Sequence, residues 1–374
     1  MDKIVIDLLW LRPGKVGGTE SYIRNLLDGL KELKEDFDFT LLVSLDNMDT
    51  FRIYEEDSRY HLLVANIESA NIAKRIIWQN LFQNRMLRKH GFKKCFEPVY
   101  CKPWLNGGIQ YTCVIFDLQA LHYPNYHPLH EVAYSRLCWR MDVMNAARIL
   151  TTSYWVKQDI EQKYHRKDID VIYVPILVKE NEVVDFKILQ DRYCIEKKYF
   201  FYTVSQMIPH KNLGTLIGIM DRLVHSEGKY DGLPTKLVIS GVNGNYAEEL
   251  KKQIKIKNLE NNIVLTGFIS NEERNSLYQN CHTFLFPSVF EGFGMPPIEA
   301  MLFKTRVITT KCASIPEVTQ GKAVYVDNPY HVDEWIKKIQ EASLQETLDF
   351  TIYDPERISK QYLQFLKEPV WKKK

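Results

Sequence analysis

Nowhere in the 374 residues does an apolar run approach the roughly 20 positions that a membrane-spanning helix needs, so no such span is expected. The seven cysteines, Cys95, Cys101, Cys113, Cys138, Cys194, Cys281 and Cys312, are odd in number and contain no C-x-x-C pair or other metal-ligand spacing. A reduced, cytosolic protein is the simplest expectation. Glycine (17) and proline (15) are too scarce for a disordered or fibrous chain. An excess of one charge is also missing: 49 Lys+Arg stand against 47 Asp+Glu, and a net charge of +2 gives no global field to attract nucleic acid. At the N-terminus Met1-Asp2-Lys3 runs straight into the strand-like Ile4-Val5-Ile6, without the pattern of a signal peptide. The expected location is therefore the cytoplasm, including the inner face of the plasma membrane.

What is present is an ordinary globular mix, 45% hydrophobic and 26% charged, in a chain long enough for two domains at about 150 residues each. In the second half, short β-branched or aromatic runs alternate with amphipathic stretches. Phe200 to Val204, Lys236 to Ser240, Asn262 to Leu265, Thr283 to Phe286, Arg306 to Thr309 and Ala323 to Val326 read as strands. Ser270-x-x-Glu273 reads as a capping box, and Pro296-Pro297 suits the first turn of a helix. The first half repeats the rhythm at Ile4 to Leu9, Phe39 to Val43, Tyr111 to Phe116, Arg148 to Thr152 and Asp170 to Val174. This β-then-α order predicts α/β architecture: two doubly wound parallel sheets, with a linker between about Pro175 and Lys197 where periodicity lapses and charges gather. The expected division is 1–180, 181–352 and a final helix within 353–374. Ligands of doubly wound sheets lie beyond the carboxyl ends of the strands, so two facing sheets would form a cleft.

One such strand end carries Phe286-Pro-Ser-Val-Phe-Glu-Gly-Phe-Gly-Met-Pro-Pro-Ile-Glu299, with Glu291 on a glycine-containing loop and Glu299 expected in the first helical turn. Two carboxylates there suit sugar hydroxyls, while small residues let backbone N–H groups and a helix start approach phosphate. The plain alternative is that Glu291 supports the turn and Glu299 complements the helix dipole.

The spacing of Glu291 and Glu299 within F-E-G-F-G-M-P-P-I-E-A resembles the E-x7-E signature of family 4 glycosyltransferases. Ile208-Pro-His-Lys-Asn-Leu213 resembles the P-x-K-N-L element of that family. Asn262 to Phe268, Ala313 to Val318 and Gly17-Gly18-Thr19-Glu20 resemble further blocks, so the resemblance covers nearly the whole chain. It implies a GT-B fold, two Rossmann-like domains facing across a cleft, and retaining transfer from a nucleotide sugar. Carried over, it implies that Glu299 binds the nucleotide ribose and Glu291 the hydroxyls of the donor sugar. Gly292, Phe293, Gly294 and Met295 would line the donor, Lys211 would neutralise the departing diphosphate, and Gly17 and Gly18 would approach the diphosphate or acceptor. No cofactor and no metal are expected, since no D-x-D element stands at a strand end. The implied chemistry is a front-face reaction in which the donor's diphosphate helps deprotonate the acceptor.

Two positions depart from the family pattern. Gln206 stands where many relatives have an Arg beside the diphosphate, leaving Gln206 and His210 to supply a neutral hydrogen bond and a part-time charge. Phe116 stands where relatives have a His, which leaves Asp117 as the expected polar contact to the donor sugar. His122 beside Tyr123 and Pro124 reads as structural or as a second polar group reaching the site.

The tract from Asn71 to Phe96 holds Lys74, Arg75, Arg85, Arg88, Lys89, Lys93 and Lys94 without Asp or Glu, and Ile77, Trp78, Leu81, Phe82 and Met86 recur at helical spacing. The expectation is a core-facing apolar stripe with a basic face toward solvent, or toward anionic membrane through residues 74–94. The sequence thus reads as a retaining hexosyltransferase of bacterial-type surface polysaccharide biosynthesis, with a nucleotide-sugar donor, a glycan or lipid-linked acceptor and no nucleic-acid partner. Competing readings are a sugar-nucleotide epimerase or another GT-B enzyme, and a donor-binding but inactive partner subunit. The stripe Ile358, Tyr362 and Leu366 marks a final helix that the resemblance packs back on the N-terminal domain.

Overall fold

A computed structural model describes residues 3–14, 17–99, 102–226, 228–341 and 346–369. The chain divides into two compact units, residues 1–177 together with 351–374, and residues 178–350. Among the described residues the first unit holds a seven-stranded parallel sheet. Its strands are β1 (Ile4–Asp7), β2 (Phe39–Ser44), β3 (Tyr60–Ala65), β4 (Lys94–Glu97), β5 (Gln110–Val114), β6 (Arg148–Thr151) and β7 (Ile169–Val171), in the order β3-β2-β1-β4-β5-β6-β7. Strands covered by helices on both faces need nearly continuous apolar sequence, and β2 is buried along its whole length. The patterning does not announce β3, whose His61 to Val64 are partly exposed at the sheet edge, or β4, four residues long at the end of the basic tract.

The second unit holds β8 (Phe201–Val204), β9 (Leu237–Ser240), β10 (Ile263–Gly267), β11 (Thr283–Phe286), β12 (Val307–Thr310) and β13 (Val324–Val326), all parallel, in the order β10-β9-β8-β11-β12-β13. Both sheets therefore reverse direction between their first and fourth strands, at β1/β4 and at β8/β11. Such a switch point leaves a crevice at the carboxyl ends of the two strands where ligands of this architecture bind.

The expected linker at 175–197 is corrected by a helix, Phe186–Tyr193, inside it. Asp185 caps that helix by accepting from Lys187 N at 3.0 Å, and Leu189 is fully buried. The charges gathered there belong to the approach and cap of a packed helix, which is too short to show a clear period in sequence.

In the first unit the final helix, Pro355–Lys367, lies against the helix Gly18–Glu32. Ile358, Tyr362 and Leu366 are all buried, and Tyr362 meets Tyr22 with hydroxyl oxygens 3.1 Å apart. The two helices approach closely at Gly29, where a Cβ would lie 2.3 Å from Ser359 Oγ. Arg148 donates to the Phe365 carbonyl at 2.7 Å, satisfying one of the free acceptors at the helix end. Among the described residues no helix is long and apolar enough to cross a membrane.

Candidate functional site

The segments after β8 and β11 meet at the switch point of the second sheet. Gln206 follows β8 and is half-buried. The single turn Pro209–Lys211 then carries buried His210, whose carbonyl accepts from Val289 N at 2.9 Å and from Ser288 Oγ at 3.3 Å. These bonds tie the two strand ends together. Lys211 Nζ, on the far side of that turn, is 2.6 Å from Glu291 Oε1, and both side chains are largely buried.

Glu291 opens the glycine turn. Ser314 Oγ donates to the carbonyls of Glu291 at 2.8 Å and Phe293 at 3.0 Å, holding the turn from the loop after β12. Gly294 has φ 90°, a left-handed conformation that favours glycine, and caps the helix Met295–Leu302. A Cβ there would only touch the Glu291 side chain, at 3.6 Å, so it is the backbone conformation and not space that calls for glycine. Gly292, Phe293 and Gly294 are buried, whereas Met295 is half-buried at the helix start beside Pro296 and Pro297, where a missing N–H costs nothing.

Glu299 is the fifth residue of that helix, one turn later than its expected place in the first turn, because the helix begins at Met295. The residue as a whole is buried, at 7% exposure. Oε2 accepts from Tyr278 Oη at 2.9 Å and faces Arg274 Nε at 3.6 Å. The Glu299 charge holds the Arg274 guanidinium above its ordinary pKa. Burial first, and then that same charge, push the Tyr278 hydroxyl well up, so it remains a proton donor. Arg274 and Tyr278 stand in no motif, and Ser314 lies in the Ala313 to Val318 block without a role of its own there. Only the i, i+4 spacing of Arg274 and Tyr278 on one helix was available as a signal.

Lys211, Glu291, Gly292, Phe293, Gly294, Met295 and Glu299, with Gln206 and His210, thus cluster at the β8 and β11 ends of the second unit. Gly17, Gly18 and Asp117 belong to the first. Gly17 is exposed and caps the helix that Gly18 begins, after β1. Asp117 follows β5 and accepts from Gln119 N at 2.9 Å, starting a short turn. Phe116 packs edge-on against Tyr22, ring centroids 4.9 Å apart. His122 Nε2 is 2.8 Å from Asp159 Oδ2.

The basic tract forms the helix Ile72–Trp78, a wide π-type turn Gln79–Gln83 and the helix Asn84–Lys89. The expected core-facing stripe is corrected. Ile77, Leu81 and Phe82 are 58%, 66% and 50% exposed, while Arg75, Gln79, Gln83 and the core residue Leu87 are buried, and of the expected stripe only Trp78 and Met86 pack against the core. The reason is that the core beneath is polar. Gln83 Nε2 donates to Asp7 Oδ2 at 2.7 Å and to Glu97 Oε1 at 3.2 Å, at the ends of β1 and β4. A polar floor draws in the polar face. The loop at 104–105 adds to the outer surface: Trp104 N donates to Asn80 Oδ1 at 2.9 Å, Asn84 Nδ2 donates to the Leu105 carbonyl at 2.6 Å, and Leu105 is 75% exposed. Among the described residues no cluster of three His, Cys, Asp or Glu has the geometry to hold a metal ion.

Residues 186–361 match the family of glycosyl transferases group 1. An O-antigen chain mannosyltransferase of Salmonella typhimurium is 30% identical over 235 residues, 62% of this chain and 61% of the relative. An O-antigen chain mannosyltransferase B of Escherichia coli is 26% identical over 223 residues, 58% of this chain and 57% of the relative. The chain thus matches about three-fifths of the length of these curated relatives. Among solved structures, sucrose-phosphate synthase from Thermosynechococcus elongatus is similar with a TM-score of 0.76 at 16% identity, covering 98% of each chain. HepE of Anabaena, solved in complex with UDP, is similar with a TM-score of 0.70 at 16% identity, covering 98% of this chain and 99% of that one. At such identity these likenesses are of fold.

Proposed function

We propose, for a chain whose residues 186–361 match the glycosyl transferases group 1 and whose two units have the GT-B fold, that it transfers a hexosyl group from a nucleotide sugar to a glycan or lipid-linked acceptor. Mannosyl is the first candidate, from the names of the O-antigen relatives. Retention of configuration, independence of metal and a place in surface polysaccharide biosynthesis belong to the same reading. The observation that carries it is the Lys211–Glu291 pair at 2.6 Å beside the Gly292–Gly294 turn, at the switch point of the second sheet.

In this reading Lys211 and backbone N–H groups of the turn take the diphosphate, with Gln206, His210 and Met295 beside them. Glu291 accepts from hydroxyls of the donor sugar, and Glu299 accepts from the ribose. Gly17, Gly18 and Asp117 are retained as contacts to diphosphate or acceptor and to donor sugar. Charge grows on the leaving diphosphate as the glycosidic bond breaks, so a fixed ammonium stabilises the transition state more than the bound donor.

Thermal unfolding against GDP-mannose, UDP-glucose, UDP-galactose, UDP-N-acetylglucosamine and dTDP-rhamnose tests the donor. A ligand at 100 times its dissociation constant adds about 2.7 kcal/mol of stability. Product formation with a lipid-linked acceptor, and the anomeric configuration of that product, test the reaction. A donor that stabilises the protein without any product would favour an inactive partner subunit, the reading that Phe116 packed on Tyr22 supports.

The same proposal sets the protein at the inner face of the plasma membrane through residues 74–94. Ile77, Leu81 and Phe82 stand exposed between Lys74 and the group Arg85, Arg88 and Lys89. Apolar side chains enter the headgroup boundary, and each basic residue near an anionic surface adds about 1 kcal/mol. Sedimentation with phosphatidylglycerol vesicles is expected to carry down the wild type, and Leu81→Glu with Phe82→Glu to leave it in solution. Equal sedimentation of both, or none of either, overturns the membrane contact.

A further inference from the structure

We infer that Tyr278 and Arg274 are positioning residues for nucleotide recognition: they hold Glu299 by one carboxylate oxygen, Oε2, and thereby present the other, Oε1, to the ribose hydroxyls. The inference rests on the ribose role proposed for Glu299.

Both residues lie on the helix Asn271–Asn280, one turn apart on a single face. That helix is anchored at its start by a capping box, Ser270 with Glu273, and Glu273 also pairs with Arg192. Tyr278 is fixed further along. Its ring lies edge-on to Tyr202 at 5.3 Å and Phe284 at 5.2 Å and stacks on Phe303 at 6.0 Å, and its carbonyl accepts from Thr305 Oγ1 at 2.5 Å. The hydroxyl at the tip of this immobile ring donates to Glu299 Oε2 at 2.9 Å.

Arg274 acts differently. Its Nε is buried, makes no hydrogen bond among the described residues, and sits 3.6 Å from the same oxygen. The guanidinium therefore supplies charge, while Tyr278 supplies direction. A free glutamate samples several rotamers and two equivalent oxygens, and ordering them at the moment of binding costs affinity. A carboxylate locked through Oε2 carries that order beforehand. Oε1 makes no hydrogen bond within the described residues. It is the carboxylate oxygen that no protein donor among the described residues engages.

The test compares the binding of GDP and UDP with that of their 2′-deoxy counterparts. Wild type is expected to favour the ribonucleotide by about tenfold or more, the value of a hydrogen bond to a charged acceptor. Tyr278→Phe, which keeps the ring packing, is expected to reduce that preference several-fold and to raise KM for the donor while kcat at saturation stays near wild type. Arg274→Met is expected to act in the same direction. A role confined to core packing would weaken both nucleotide forms equally and leave the preference intact, and that outcome in Tyr278→Phe overturns the inference. Glu299→Ala separates the two levels. If it abolishes the preference while Tyr278→Phe does not, the positioning role fails and the ribose role stands. If Glu299→Ala leaves the preference unchanged, the ribose role itself fails. Wild type that binds neither GDP nor UDP removes the premise and the inference with it.

Discussion

Lys211→Ala is expected to slow turnover by about a hundredfold or more, near 3 kcal/mol of barrier, while donor affinity changes by much less. The asymmetry follows from where charge develops. Bound donor carries a diphosphate whose charge is partly shared with the sugar, and the departing nucleotide carries the full charge. The structure adds that Lys211 already has an anionic partner, Glu291 Oε1 at 2.6 Å, in a largely buried setting. Removing the ammonium therefore leaves a buried carboxylate without its counter-ion beside the expected diphosphate. Some loss of donor affinity comes from that repulsion. Glu291→Gln isolates this part: without the carboxylate charge, nucleoside diphosphate alone is expected to bind more tightly even as sugar transfer slows. The two substitutions are in contact and should not be additive. Steady-state kinetics on folded Lys211→Ala decide the matter. Near-normal turnover would show that a different cation carries the leaving group.

Unfolding stability is expected to fall as pH rises from about 4 to about 8, and Asp142→Asn to remove a large part of that fall. Asp142 lies in the helix Leu129–Asn145 with 1% exposure, and its carboxylate oxygens accept no hydrogen bond among the described residues. Burial pushes its pKa up from 3.8 to about 8, against the pull of buried Lys102. Glu97 is raised well above its ordinary range by burial and then by the neighbouring Asp7, and Asp7 is raised by burial. The sign is that of acids whose folded pKa is raised. Protonation favours the fold, so their stabilising effect is complete below pH 4 and is lost as pH climbs toward the folded value. Each pH unit within that window costs about 1.4 kcal/mol per group. The gap between Asp142→Asn and wild type should therefore open from near zero at pH 4 to a few kcal/mol at pH 7, then level off above about pH 8. Chemical denaturation at several pH values measures it. A gap that does not change with pH would mean that Asp142 is ionised in the folded protein throughout.

The local features of the second unit were legible in the sequence because each is set by a few neighbouring residues. The capping box at Ser270 and Glu273 forms as the S-x-x-E spacing requires, and Pro296-Pro297 occupy the first turn of their helix. The strands at 201–204, 237–240 and 283–286 fall within the expected runs, since a buried parallel strand must be apolar wherever it lies in the chain. The E-x7-E spacing likewise placed Glu291 on the turn and Glu299 on the helix.

What the sequence determined by itself was therefore periodic or local: two α/β units, their main strands, the carboxylates that follow one strand and the lysine that follows another. What only the tertiary structure decided depends on partners distant in the chain. Ile77, Leu81 and Phe82 share a helical spacing that suits a core, but they are exposed because the opposite face meets Asp7 and Glu97, delivered by β1 and β4 from elsewhere. Lys211 and Glu291 are 80 positions apart, and only the pairing of β8 with β11 brings them to 2.6 Å. Tyr278 reaches Glu299 across 21 positions because two helices pack side by side. Sequence period reports which residues share a face of an element. Which of those faces is buried, and against what charge, is set by the elements that pack upon it.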